Sequence, residues 1–205
     1  TEWLAKRGFA TICSPITEWA LYSDYLVDKG LVDYTMPKRE KLTFLLKKHY
    51  MARYQKRIQS KLAGTSLVHG EPLNNQSIIN NASTHISPNL AGEAILTVGS
   101  SLTEIVSHTC GVIAIGPFGC MPNRLAEAIL NEAMNRDGKL ATDPGNQRLS
   151  YTLNDVDDLP FLACESDGSP FSLTINAVPV AFRLRAERLD NRMTERNTHL
   201  KAQRR

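Results

Sequence analysis

"CGVIAIGPFGCMPNRLAEAIL", residues 110–130, decides how this chain is read. Its first part, "GVIAIG" at 111–116, is a continuous run rich in β-branched apolar side chains. Such a run suits a strand covered on both faces, as in a parallel sheet. Pro117 stops it. Gly119, Cys120 and Met121 follow, and Pro122 suits the first turn of a helix, where a missing N–H costs nothing. Leu125, Ile129, Leu130 and Ala133 then recur at helical spacing, so residues 123–135 read as a helix with those side chains inward. The stretch is a strand, a tight turn and a helix, with a cysteine at the junction.

The flanks extend the pattern. Ala91, Ile95, Val98, Leu102, Ile105 and Val106 predict an amphipathic helix over 90–108, with Gly99 inside it as a point of close packing. "LPFLAC" (159–164) is the next buried strand, "ESDGSP" (165–170) turns the chain, and 171–190 is a helix that Pro179 must kink or split. Toward the start, "FATICS" (9–14) reads as a short buried strand closed by Pro15. A helix follows to about Leu26, capped by Ser14 or Thr17, with Trp19, Tyr22 and Leu26 on one side and Gly30 ending it. Residues 38–63 form a long helix with an intermittent stripe of Leu42, Leu45, Leu46, Ile58 and Leu62, stopped by Gly64. Residues 65–88 are polar and turn-rich, and 137–158 read as loop with room for a small strand. Alternating strands and helices predict β-α-β units. The expected fold is α/β, a three-layer Rossmann- or flavodoxin-like parallel sheet with helices on both faces. It occupies residues 1–190 as one domain, with the long basic helix as an insertion and 191–205 as a charged tail, frayed or disordered.

Composition narrows the class. No apolar run approaches the ~18–20 residues that span a bilayer, and "TEWLAKRGFATICSP" lacks the long apolar segment of a secretory signal. A cytoplasmic location with no membrane partner is expected. The chain begins without Met inside a helical pattern, which points to a fragment of a longer protein. Its four cysteines are too scattered for a disulfide scaffold, and none forms a CxxC pair of the kind a self-contained zinc site uses. Net charge is +3, but unevenly spread. Residues 38–61 hold nine Lys or Arg and one acid, and 183–205 hold eight and three, whereas 62–182 hold four bases and twelve acids. Two basic helices on an acidic core suit an acidic partner or a solvated face. Nucleic acid is the other reading and ranks last, because no recognised binding motif accompanies the charge.

In open α/β sheets ligands collect outside the carboxyl ends of the strands. Cys13 and Cys164 end strands there in this reading, and as free cysteines they are first of all core residues. Cys110 precedes the middle strand and lies about 20 Å from Cys120, so the two share no metal. Cys120 differs from the others. A thiol at a helix N-terminus feels the positive end of the dipole, which favours the thiolate needed in a ligand or nucleophile. A loop cysteine packed beneath the helix start fits the same pattern, and the position alone leaves both open. Glu165 and Asp167 follow a strand at the same edge. They are placed to accept from ligand hydroxyls or to cap the following helix, the cap being favoured for Asp167. Glu18 and Trp19, after the first strand, are a third pair, with Trp19 read as packing. The five histidines show no ligand spacing, and no GxGxxG or GxxxxGK[ST] signals a nucleotide site.

"NLAGEAILTVGSSL" (89–102), "CGVIAIGPFGCMPNRLAEAIL" (110–130) and "LPFLACESDGSPF" (159–171), with "SPITEWALY" (14–22), resemble the C-terminal part of the large CoA-substrate-specific enzyme activases. These are activators of 2-hydroxyglutaryl-CoA dehydratase, and the resemblance spans most of residues 9–190. It implies a dehydratase-subunit-like, Rossmann-like region around an iron–sulfur cluster, in a protein that delivers low-potential electrons at the expense of ATP. In dehydratase subunits one ligand cysteine follows a strand of the C-terminal domain, which Cys120 matches. Gly119 would then let backbone approach the cluster, and Asn123 would hydrogen-bond a sulfur or an acyl-CoA group. Glu165 and Asp167 complete the candidate site. Earlier ligands and the ATPase module have no counterpart in this chain. The implied partners are N-terminal regions of the same protein, an acyl-CoA dehydratase and acyl-CoA. Pro179 and Cys164 depart from the pattern. The alternative is a non-catalytic docking or CoA-binding module whose cysteines are structural.

Overall fold

A computed structural model describes residues 2–32, 37–65, 74–90, 92–166 and 177–202. In chain order these form α1 (Glu2–Ala5), α2 (Ile16–Asp28), α3 (Lys38–Leu62), a 3-10 turn at Ala63–Thr65, α4 (Asn75–Ala82), α5 (Ala94–Glu104), β1 (Val112–Pro117), α6 (Met121–Ala133), α7 (Arg136–Thr142), α8 (Gln147–Thr152), β2 (Phe161–Ser166) and α9 (Ala177–Ala202). The fold is mixed α/β and mostly helical, with two parallel strands in one sheet among the described residues. Two compact units divide it, the first ending at Asn75 and the second beginning at Gln76.

In the first unit the expected strand at 9–14 is absent. Residues 9–15 have no regular structure and 10–15 are exposed, because no other strand among the described residues offers "FATICS" its ladder hydrogen bonds. Cys13 therefore ends no strand. The following helix forms as expected, but Pro15 stands at its N-cap and no side chain caps it. Tyr22 is buried on α2 while Trp19 is half exposed. Charge links α2 to α3: Lys47 Nζ lies 2.8 Å from the buried Asp24 carboxylate, and Lys48 Nζ lies 3.0 Å from Asp28. The intermittent apolar stripe of α3 is exposed at Leu42, Leu45, Leu46, Ile58 and Leu62.

The second unit holds the core. Ile79, Ala82, Ile95, Val98, Leu102, Ile105, Leu130 and Leu189 are fully or almost fully buried, each large side chain contributing about 1.5–3 kcal/mol. α5 meets α4 through Gly99. A Cβ there would press on the Ile78 carbonyl oxygen and lie 2.7 Å from its Cγ2. The parallel pair runs from Val112 opposite Phe161 to Pro117 opposite Ser166. Ala114 and Gly116 are buried on one face, but Ile115 is 66% exposed, so β1 is not covered on both faces as its run predicts.

Residues 137–158, expected as loop, contain α7 and α8. Each starts on an asparagine cap: Asn135 Oδ1 accepts from Gly138 N, and Asn146 Oδ1 accepts from the amides of Arg148 and Leu149. Pro179 neither kinks nor splits α9. Among the described residues the helix runs unbroken through it from Ala177, and residues 171–176 of the expected helix lie outside the described residues. The helix then continues through the expected tail to Ala202, burying Phe182, Ala186 and Leu189.

Lys139, 2% exposed, ties α7 to the end of α5. Its Nζ donates to the Leu102 and Thr103 carbonyls at 2.6 and 2.9 Å and to Ser107 Oγ at 3.1 Å. These donations satisfy carbonyls that a helix C-terminus leaves unpaired. Burial pushes the Lys139 pKa down from 10.5 to about 8, against the opposing pull of Glu104 and Asp143.

Gly99→Ala should lower the urea midpoint with unchanged m. Overpacking costs about 1–3 kcal/mol, and the ~1 kcal/mol that alanine gains over glycine in a helix offsets only part of it. An unchanged or raised midpoint would contradict the close approach. Lys139→Met should cost about 1–3 kcal/mol through unsatisfied carbonyls. Because the folded pKa of about 8 lies below the ordinary 10.5, the unfolded chain binds more protons in between, and the lysine's contribution rises with pH. The stability gap between wild type and Lys139→Met, measured by denaturant titration, should therefore be flat below about pH 8 and widen toward 10.5. A gap that narrows over that window would refute the assignment.

Candidate functional site at the carboxyl ends of the strands

Parallel pairing brings the carboxyl ends of β1 and β2 together. Phe118 N donates to Ser166 O at 3.2 Å, extending the ladder one step past the strand. The chain then turns: Gly119 adopts φ +73°, a conformation that glycine takes at little cost, and Cys120 N donates back to Pro117 O at 3.1 Å. Cys120 is the N-cap residue of α6, and its carbonyl accepts from Arg124 N at 3.0 Å. It is half-buried. The helix starts two residues before the predicted 123, with Pro122 in its first turn as the sequence suggests.

Asn123 lies one turn into α6 and is 9% exposed. Its side chain occupies the space that a Cβ at Gly116 would fill, 2.6 Å from Asn123 Cγ. This explains the glycine in the strand. Asn123 Nδ2 is buried without a hydrogen-bond partner among the described residues. Buried polar groups are nearly always paired, so an orphan donor beside a cysteine at a strand edge points to an absent acceptor.

Glu165 is committed within the site. Its Oε1 accepts from Gly119 N at 3.3 Å and lies 2.9 Å from Arg124 Nε, while Arg124 Nη1 is 3.0 Å from Glu127 Oε2. The hydrogen bond to Glu127 and the charges of Glu165 and Glu127 raise the pKa of Arg124 further, so it stays charged. The carboxylate thus pins the turn instead of presenting a free acceptor. Asp167 lies outside the described residues. Arg124 is the member that sequence reasoning missed; its i,i+3 spacing to Glu127 was the only local signal.

The other cysteines separate from Cys120. Cys164 stands opposite Ile115 and is half-buried; burial, and then the charge of Glu127, push its pKa up. Cys110 precedes β1, at the far end of the strand, and burial, then Asp190, raise its pKa too. Cys13 is exposed. Glu18 and Trp19 sit in the first turn of α2, Glu18 buried, with its carbonyl accepting from Asn75 Nδ2 at 2.9 Å. Among the described residues no group of three or more His, Cys, Asp or Glu is placed to hold a metal ion, and no helix is long and apolar enough to cross a membrane. Near Cys120 in the chain, Ile115, Phe118 and Met121 are all largely exposed.

Comparison of the chain with protein-family models, with curated proteins and with solved structures finds no match.

Alkylation of the native protein near pH 7.5, read by peptide mass spectrometry, should label Cys13 several-fold faster than Cys110 or Cys164, because burial and a raised pKa deplete their thiolates. The differences should vanish in denaturant. Equal native rates would refute the burial of these two thiols.

Proposed function

We propose that this chain is a dehydratase-subunit-like region of a CoA-substrate-specific enzyme activase, and that Cys120 supplies one thiolate ligand to an iron–sulfur cluster. The observation that carries this reading is the pairing of a half-buried cysteine at a helix N-cap with the orphan Asn123 Nδ2 one turn away. The residues present fit such a group as a partial site. Cys120 offers the soft sulfur ligand that clusters take. Asn123 Nδ2 offers a donor to a sulfide, or to an oxygen of an acyl-CoA group. Gly119 has no side chain to obstruct approach, and the Arg124–Glu165 pair holds the turn. The remaining ligands would come from other regions of the intact protein. When bound, the cluster supplies one-electron transfer at low potential.

The exposed apolar side chains of Ile115, Phe118 and Met121 support a covering surface at this edge. A two-stranded parallel sheet is a minimal one. We read β1 and β2 as part of a larger three-layer, Rossmann-like sheet, with basic α3 as an insertion. The ATPase module, the acyl-CoA dehydratase and the cytoplasmic setting implied by the resemblance belong to the same proposal. A second reading, a docking module, is favoured by one observation: α3 exposes Leu42, Leu46, Tyr50, Tyr54, Ile58 and Leu62 on a basic helix.

The test is anaerobic reconstitution of the intact protein, with iron and acid-labile sulfide counted per chain. Cys120→Ala should lose the cluster, or hold it at sharply reduced occupancy, while Cys164→Ala keeps it. Full iron content in Cys120→Ala would exclude the ligand role and leave the docking reading.

A further inference from the structure

The second unit contains a pocket of about 210 Å3 between the end of α5, the start of α8 and the last turns of α9. Val106, Ser107, Asn146, Arg148, Arg196 and Asn197 contribute to its wall. Among the described residues no acidic side chain lines it, although the neighbouring arginine on α9, Arg192, is paired with Asp155 and Glu195. Arg148 and Arg196 are close enough that the positive charge of Arg148, after burial, lowers the pKa of Arg196. Two guanidinium groups sharing a pocket without a carboxylate repel each other unless an anion joins them.

The polar groups left over are donors. Asn146 is largely committed: its Oδ1 caps α8 and its Nδ2 donates one hydrogen to Asp143 at 2.7 Å, leaving the other. Ser107 Oγ accepts from Lys139 Nζ at 3.1 Å, which leaves its hydroxyl hydrogen to donate elsewhere. Arg196 Nε donates to Asn197 Oδ1 at 3.3 Å, leaving Nη1, Nη2 and the Asn197 amide hydrogens. Arg148 has no side-chain partner among the described residues. Val106, buried and β-branched, holds φ +66° at the pocket wall. Such a conformation is strained and persists where surrounding structure imposes it, often at ligand sites.

We propose that this pocket binds a tetrahedral oxyanion, the phosphate of a phosphomonoester. The guanidinium groups of Arg148 and Arg196 would each present a fork to its oxygens, with Ser107 and Asn197 donating the remaining bonds. The volume suits a phosphate and the first atoms of its carrier. It is smaller than the ~300–1,000 Å3 of a site that encloses a drug-sized ligand. The site does not depend on the role of Cys120, and its test does not touch that residue.

Isothermal calorimetry tests it directly, because phosphate and sulfate stabilise folds nonspecifically by exclusion and thermal shifts would mislead. The probes are inorganic phosphate, glycerol 3-phosphate and chloride, on the full chain. Saturable phosphate binding is expected, with none for chloride. Arg148→Gln and Arg196→Gln should each weaken it about tenfold or more, Arg196→Lys should restore it only in part, and Arg192→Gln should leave it unchanged. Tighter binding of glycerol 3-phosphate would identify a phosphomonoester as the ligand; tighter inorganic phosphate would overturn that part of the assignment. No saturable binding, or equal losses in Arg192→Gln, would overturn the site. Binding of duplex DNA that needs Arg148 and Arg196 while phosphate shows none would replace it with a nucleic-acid contact.

Discussion

The parallel register of β1 and β2 is the constraint on which the candidate site depends. Antiparallel strands would place the end of one beside the start of the other. Here both carboxyl ends lie together, so Pro117 stands opposite Ser166 and Gly116 opposite Glu165. That register delivers the Glu165 carboxylate to the Gly119 amide, across 46 positions of sequence. It also aligns α6, which must return over the buried Ala114–Gly116 face. The absence of a Cβ at Gly116 then admits Asn123. Turn, helix cap and orphan donor all follow from one ladder.

What holds that ladder in place lies to either side of it. Between the strands the chain runs through α6, α7 and α8, with two asparagine caps starting the short helices. Lys139 fastens this crossover to the C-terminus of α5 through three hydrogen bonds. It is a buried ammonium group whose described hydrogen-bond partners are two carbonyls and a hydroxyl, and these neutral acceptors are its main compensation. The same lysine holds Ser107, which lines the arginine pocket. The crossover thus links the packing of α5 to both regions of chemical interest in the second unit.

Much of this was legible in the residues. The β-branched run at 111–116, the Pro122 signal and the leucine spacing of α6 identify strand, turn and helix, because each depends on local geometry alone. A glycine inside the amphipathic pattern at 99 marked a close approach, although its partner, Ile78 on α4, is a tertiary fact. Failures arose where the outcome depends on a partner. "FATICS" has the composition of a strand but finds no neighbour among the described strands. Ile115 reads as core from its type, yet exposure depends on what covers the sheet. Asn135 reads as the end of the preceding helix and Asn146 as loop, although an asparagine before a short helical stretch is also a cap signal. Pro179 reads as a breaker from its type, yet α9 is continuous through it among the described residues. Asn123's lost partner and the meeting of Arg148 with Arg196 are tertiary facts with no local signature.

The central claim is that Cys120 is a cluster ligand held at the junction of β1 and α6. The most direct measurement is anomalous scattering at the iron edge from crystals of the intact protein grown without oxygen. The account predicts an iron peak bonded to Cys120 Sγ, with Asn123 Nδ2 within hydrogen-bond reach of a sulfide or a ligand oxygen. A Cys120 thiol packed against protein with iron bound elsewhere, or no iron at all, would contradict it.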